Sequence, residues 1–207
     1  MADGSGCRRL LVFARAPVPG AVKTRLIPAL GAAGAAALYA RLLQRTLTTA
    51  CTAAVAPVDL WCSPDSGDPA FTAAKVRWDV LLHEQPRGGL GARMFMALGA
   101  ALEQCEQAVL IGCDCPALSA ADLDAAFVAL DDHDVVLGPA EDGGYVLIGV
   151  RRLSPVLFEG IAWGGDRVLR QTRSRLVALG WRWHELPMLW DVDRPEDLTR
   201  LGDVGLA

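Results

Sequence analysis

One stretch constrains this chain more than any other: Ala108–Leu118, AVLIGCDCPAL. Ala108 to Ile111 run apolar, without alternation, straight into Gly112, and Asp114 and Pro116 follow. An uninterrupted apolar run of this kind reads as a strand buried on both faces. Such strands belong to parallel sheets with helices packed on each side. An aspartate just past the C-terminal end of one sits where open α/β sheets bind their ligands. Asp114 is therefore either a turn cap before the next helix or a carboxylate that holds a divalent cation.

The flanking sequence fits that sheet. Arg9–Ala14 reads as a first strand, and Arg15–Pro28, with three prolines and Gly20, as a loop. Leu30–Ala54 is rich in Ala and Leu, with Leu38, Leu42 and Arg45 beside Tyr39, Leu43 and Leu47 at helical spacing. Val58–Cys62 and Val80–His83 read as strands on either side of a short helix, Ala70–Lys75. Gln85–Gly91 is a glycine-rich loop, and Ala92–Glu103 a helix. Ser119 and Asp122 resemble a capping box opening a further helix. Asp134–Leu137 and Tyr145–Val150 read as strands, the second adding a mixed or antiparallel portion. A helix over Gly164–Leu179, a strand over Trp181–Leu186 and a closing helix from Pro195 complete the chain. Strands alternating with helices over the first 140 residues mark an α/β sheet with helices on both faces. No repeat or linker interrupts residues 1–207, so a single domain is expected.

Composition excludes some functions. A net charge of −4 argues against a nucleic-acid binder, which would show a basic face. No uninterrupted apolar stretch reaches the ~18 residues of a membrane span, so none is expected. The N-terminal MADGSGCRR leads into an apolar run too short for a signal peptide, which implies a cytoplasmic protein. The six cysteines form no pair of C-x-x-C knuckles, and in a reducing compartment they are most simply buried small hydrophobes. Cys113 and Cys115 flank Asp114 and point away from it if the strand continues; a thiolate metal site there is the rarer reading.

Four clusters could carry chemistry. Arg15, Lys23, Thr24 and Arg25 with Gly20 make a phosphate cradle or a solvated basic loop; the P-loop spacing is absent. Gln85, Gly89, Gly91 and Arg93 form either a loop that lets a ligand approach the backbone, Gln85 bonding a base edge, or an ordinary turn. Glu141 and Asp142 before Gly143 and Gly144 are candidates for a general base or an acceptor-binding pair, or else a hairpin turn. Asp191 and Asp193 lie two apart in an extended segment. Either could join Asp114 around a hard cation, which wants oxygen ligands. Alternatively, Asp193 helps cap the closing helix.

The segments FARAPVPGAVKTRL, GGLGARM, IGCDCPAL, GPAEDGGYVLIG, IAWGGDRVLRQT and DVDRPEDL run in this order along nearly the whole chain. As a set they resemble the nucleotide-diphospho-sugar transferase (GT-A) superfamily. Within it they are similar to the family named as arsenosugar-biosynthesis, or radical-SAM/selenodomain-associated, glycosyltransferases. The resemblance implies a Rossmann-like GT-A fold, a three-layer sandwich around a mostly parallel sheet. It also implies a bound nucleotide with Mg²⁺ or Mn²⁺. Asp114 matches the superfamily's metal aspartate and Asp193 its second metal carboxylate. Lys23 and Arg25 match a phosphate-binding loop, and Gln85 and Gly89 a base-binding loop. Two positions depart from the pattern. The usual D-x-D is here C-D-C, and the Thr or Ser that precedes the closing helix is Arg194.

The resemblance thus implies glycosyl transfer from a nucleoside-diphosphate sugar to a small acceptor. Asp114, Asp193, Lys23 and Arg25 would stabilise the leaving diphosphate, with Asp142 or Glu141 as base. Nucleotidyl transfer releasing pyrophosphate is the alternative that the KTRL loop and single aspartate favour. A catalytically inert nucleotide-binding protein is the third.

Overall fold

The computed structural model describes residues 7–205; the first six residues, within the MADGSGCRR stretch, lie outside the described residues. Seven strands form one sheet in the order β3-β2-β1-β4-β6-β5-β7. They are β1 (Arg8–Arg15), β2 (Val58–Ser63), β3 (Leu81–Glu84), β4 (Gln107–Ile111), β5 (Val135–Pro139), β6 (Tyr145–Val150) and β7 (Trp183–Glu185). The chain builds β1, β2 and β3 outward in one direction, then returns to lay β4 against the other side of β1 in parallel. This reversal makes the carboxyl ends of β1 and β4 a topological switch point, the standard crevice of an open α/β sheet. The mixed portion expected at YVLIGV is present, since β6 is antiparallel to both β4 and β5.

The apolar strands are buried on both faces, and alternate residues go to opposite cores. Leu10, Val12, Val109 and Ile111 face α1 (Ile27–Ala53), α2 (Pro69–Trp78) and α4 (Ala120–Leu130). Leu11, Phe13 and Leu110 face α3 (Leu90–Leu102) and α5 (Val168–Leu179). The expected three-layer α/β architecture is therefore observed. With α1 counted from Thr24, Thr24–Ala53 has the length and mean hydropathy of a bilayer-crossing helix, although Arg25, Arg41 and Arg45 interrupt its apolar run. Nine of α1's residues are nevertheless buried, among them Tyr39, Leu43 and Leu47, packed against the sheet as a core helix would be. Arg45, set among the apolar positions of that helix, donates to the Pro116 and Val204 carbonyls at 2.7 and 3.0 Å. It ties the segment after β4 to the C-terminus.

Several boundaries and one helix type differ from expectation. Helical structure after the first loop begins earlier than expected, with a 3-10 turn at Thr24–Leu26 and Pro28 in the first turn of α1. The helix expected from Gly164 begins only at Val168, because Gly164 sits at φ +80°, outside the right-handed region. The closing helix is 3-10 and runs Pro195–Val204. The Ser119/Asp122 capping box is formed in both directions.

Candidate functional site

Three adjoining cavities open at the switch point. The central one, about 400 Å³, has Arg15, Gln85, Arg93, Asp114 and Asp191 on its polar side and Phe13, Met94, Leu110 and Ile148 among its apolar walls. A second, about 310 Å³, is lined by Arg15, Lys23, Thr24, Arg25, Asp114 and Asp193. A third, about 440 Å³, takes in Arg25, Glu141, Asp142, Asp166, Trp190, Asp191 and Asp193. Arg15 and Asp114 are shared by the first two, Arg25 and Asp193 by the last two, and Asp191 by the first and third. The residues singled out from four separate parts of the sequence thus share one crevice.

Asp114 leaves β4 through Gly112 with its side chain half exposed, while its cysteine neighbours turn inward. The Cys113 thiol approaches the Phe13 carbonyl, and burial raises its pKa. Burial also pushes the Cys115 thiol up to about 11. Both thiols are buried in the packed core, as small hydrophobes would be. Asp114 does not cap α4 either, since Ser119 does.

Lys23 has φ +47°, and its almost fully buried ammonium bonds Asp114 Oδ1 at 2.7 Å and the Val192 carbonyl. The Val192 amide in turn donates to the Asp114 carbonyl at 2.8 Å. Lys23, expected as a phosphate ligand, thus joins the basic loop, the segment after β4 and the DVD segment at one point. Arg25 is paired with Asp193.

The DVD segment places its two carboxylates differently. Val192 is fully buried between them. Asp193 lies on the Arg25 side and does not cap the closing helix. That task falls to Asp197, whose carboxylate accepts from the Arg194 and Asp193 amides at 2.7 and 2.9 Å and so replaces the missing Thr or Ser. Asp191 points into the central cavity. Burial first, then the nearby Asp142 and Asp114 charges, push its pKa up to about 6 against a partial offset by Lys23. An acidic residue in the first turn was the sequence signal for Asp197; spacing alone did not separate Asp191 from Asp193, and the family pattern pointed to Asp193.

Two other expectations are corrected. Gln85 has no free amide for a base edge. Its Nε2 donates to the Ala14 and Trp61 carbonyls at 3.0 and 2.9 Å, bridging the ends of β1 and β2, and its Oε1 accepts from Arg93 at 2.8 Å. Glu141 has no proton-accepting role to spare: a bidentate pair with Arg200, at 2.7 and 3.1 Å, holds its carboxyl below the usual range. Asp142 closes the turn by accepting from the Gly144 amide at 2.8 Å, and its second oxygen has no hydrogen-bond partner among the described residues. Gly143, at φ +88°, is required there, because a Cβ would collide with the Asp166 carbonyl. Gly89 begins α3 with open space around it. The close approach that Gly91 permits is to Trp163, whose indole nitrogen would lie 2.6 Å from a Cβ. Tyr39 was not foreseen; its hydroxyl accepts from the Arg15 amide at 2.8 Å and fixes the start of the basic loop.

The divalent cation implied by the resemblance can be tested against this geometry. The available donors, Asp114, Asp191 and Asp193, are all carboxylates, which suits a hard ion. Among the described residues no three acidic, His or Cys side chains converge as a ready-made cage. That fits an ion held by one or two carboxylates and completed by substrate oxygens and water, the usual habit of Mg²⁺.

Comparison with known proteins agrees with the fold. A curated relative, 3-phospho-D-glycerate guanylyltransferase of Phenylobacterium zucineum (strain HLK1), is 36% identical over 129 residues, which cover 58% of this chain and 56% of the relative. A crystal structure from Desulfovibrio desulfuricans G20, provisionally described as a nucleotide-diphospho-sugar transferase, matches with a TM-score of 0.85 at 32% identity, covering 94% of this chain and 85% of that one. Glucosyl-3-phosphoglycerate synthase from Mycobacterium tuberculosis matches with a TM-score of 0.59 at 11% identity over 98% of this chain and 77% of that one, a likeness of fold alone. These matches bear out the nucleotide-diphospho-sugar transferase superfamily. Residues 46–165, more than half of the molecule, match one family model, and the chain belongs to that family, described as an uncharacterized protein conserved in bacteria (DUF2064).

Proposed function

We propose that this protein is a transferase of nucleotide-linked groups, and that its reaction is nucleotidyl transfer from a nucleoside triphosphate to a small acceptor. The observation that carries the reading is the convergence of Arg15, Lys23, Arg25 and Asp114 at the carboxyl ends of β1 and β4. Cations from one loop around a single aspartate suit a triphosphate, and the guanylyltransferase relative supports the same reaction class.

In this reading an acceptor oxygen attacks the α-phosphorus. The bond between that phosphorus and the bridging oxygen breaks, and pyrophosphate leaves. Arg25, free to exchange its exposed pair with Asp193 for a phosphate, stabilises the charge developing on the leaving group. Lys23 acts chiefly by holding Asp114 and the DVD segment in register. Gln85 positions Arg93. A divalent cation such as Mg²⁺ or Mn²⁺, held by Asp114 with Asp191 or Asp193, would supply further charge neutralisation for the phosphates.

A second reading is glycosyl transfer from a nucleoside-diphosphate sugar. The Desulfovibrio structure and the narrower resemblance to arsenosugar-biosynthesis glycosyltransferases support it. There Asp142, not Glu141, is the remaining candidate base, because Glu141 is tied to Arg200.

The released product decides. Triphosphates and sugar nucleotides are each incubated with 3-phospho-D-glycerate and a panel of small hydroxy acids and polyols, with Mg²⁺ or Mn²⁺. Pyrophosphate from a triphosphate, dependent on acceptor, is the expected result. Release of a nucleoside diphosphate from a sugar nucleotide would transfer the assignment to the second reading. Tight nucleotide binding without turnover on any acceptor would overturn both in favour of a binding protein.

A further inference from the structure

The cations of this crevice fall into two classes. Lys23 and Arg25 each already have an acidic partner, Asp114 and Asp193. Among the described residues Arg15 and Arg93 have none. Arg93 is fixed by one bond from its Nη1 to Gln85, while its Nε is buried without a hydrogen-bond partner. Arg15 and Arg93 both line the central cavity, and burial, followed by the charge of Arg15, depresses the Arg93 pKa. Arg15 is exposed and lines the same cavity; its backbone amide is bonded to Tyr39, and its side chain has no hydrogen-bond partner among the described residues. Leu90, in the first turn of α3, lines the cavity as well; that turn has neither a side-chain cap nor an acidic residue, so its amides add partial positive charge.

Like charges brought together and partly desolvated are unfavourable unless an anion joins them. Gln85 takes up Nη1 of Arg93, and the buried Nε has no hydrogen-bond partner among the described residues; the Nε–Nη2 edge of a guanidinium is the fork that matches two oxygens of a phosphate or carboxylate. We propose that Arg15 and Arg93 form an anion subsite in the central cavity, separate from the Lys23/Arg25 pairs, that binds a phosphate or carboxylate group of the substrate. The group comes from one of two sources, the nucleotide's own phosphates or an acidic acceptor. The choice of probes rests on the transferase reading, but the existence of the subsite does not.

The test is titration calorimetry of the full chain with pyrophosphate, 3-phospho-D-glycerate, GTP and guanosine, divalent cations chelated. It compares wild type with Arg93→Met, Arg15→Gln and the exposed α5 control Arg170→Gln. The wild type is expected to bind at least one anionic probe, and each cavity variant to weaken it about tenfold to hundredfold, the usual loss for a charge-assisted contact. Guanosine and the control stay unchanged. Loss confined to pyrophosphate and GTP assigns the anion to the nucleotide; loss confined to phosphoglycerate assigns it to the acceptor. Anion affinities unchanged in both variants, no anion binding by the wild type, or an equal loss for guanosine would each overturn the proposal. If Arg93→Met disturbs folding through its link to Gln85, Arg15→Gln decides alone, because its guanidinium has no partner among the described residues. Anion binding that responds to the variants, in a protein that releases neither pyrophosphate nor nucleoside diphosphate, refutes the transferase reading and leaves the subsite standing.

Discussion

Replacing Lys23 by Met separates the two tasks a lysine in this loop can have, phosphate ligand or internal tether. The side chain is 4% exposed, and its ammonium joins Asp114 at 2.7 Å to the carbonyl of the fully buried Val192. Methionine keeps most of the stem's volume and removes both bonds. The Asp114 arm is cheap to lose, because that carboxylate is half exposed and water replaces the ammonium; it is worth below about 1 kcal/mol. The Val192 carbonyl loses a charged donor where water is excluded, at about 1–2 kcal/mol. Together the tether accounts for about 2 kcal/mol. For a domain of this size that lowers Tm by about 4–8 °C. Thermal unfolding followed by circular dichroism measures it. A lysine held only for substrate phosphates would leave Tm unchanged, or raise it, when removed from an empty basic loop. A Lys23→Met melting curve that overlays the wild type would therefore refute the tether, whatever happens to turnover. A second check is the double variant with Asp114→Asn, whose destabilisation should fall short of the sum of the two single changes, since they share one bond.

Asp114→Asn should abolish metal-dependent product release while leaving nucleotide-independent folding intact; full turnover in that variant would remove Asp114 from the mechanism. Glu141→Gln should leave kcat nearly unchanged, because Arg200 already holds that carboxylate, whereas a general base would cost about 10²-fold or more. Asp191 has a folded-state pKa of about 6, above its unfolded value, so the stability it contributes is complete below about pH 4 and lost as pH rises through about 6. Asp191→Asn should accordingly raise Tm at pH 8 by a few degrees, about 1 kcal/mol after discounting for its partial exposure, and leave it unchanged at pH 4; equal shifts at both pH values would show that charge is not the cause.

The alternation of short apolar runs with amphipathic helices was enough to place β1 through β4 and their helices, most plainly β4, which is buried at every position, whereas edge strand β3 is half exposed and was placed by its neighbours. The antiparallel turn at β6 was legible for the same reason, as YVLIGV followed the glycine turn at 143–144. What stayed hidden was which charges find each other. Lys23 meets Asp114, Arg25 meets Asp193 and Glu141 meets Arg200, across separations of 91, 168 and 59 residues, and pairing at such distances depends on the fold rather than on local spacing. Gln85 illustrates the cost of reading a motif by residue type alone. A glutamine beside a glycine loop suits a base edge, but three bonds to β1, β2 and Arg93 leave it nothing to offer.

The DVD segment shows how a short extended stretch can serve more than one cavity. Successive side chains of extended backbone point in opposite directions, so residues 191 and 193 should face the same way. Both line the third cavity, yet Asp191 also opens onto the central cavity and Asp193 onto the second, and the segment is pinned at its middle residue: the Val192 amide bonds the Asp114 carbonyl, its carbonyl takes the Lys23 ammonium, and its side chain fills the core between α1 and the C-terminal turn. With the centre held, Asp191 is turned toward Asp114 and Asp142, where it is desolvated and repelled, while Asp193 lies against Arg25, where it is neutralised. A cation entering the central cavity would relieve repulsion at Asp191, but at Asp193 it would have to compete with a guanidinium already in place. On electrostatic grounds Asp191 is therefore the better partner for Asp114, and the pairing inferred from the family pattern, Asp114 with Asp193, requires Arg25 to let go first. Mn²⁺ titrated into Asp191→Asn and Asp193→Asn decides between them: the greater loss of affinity is expected in the former, and a greater loss in the latter would show that Arg25 releases its partner to the metal.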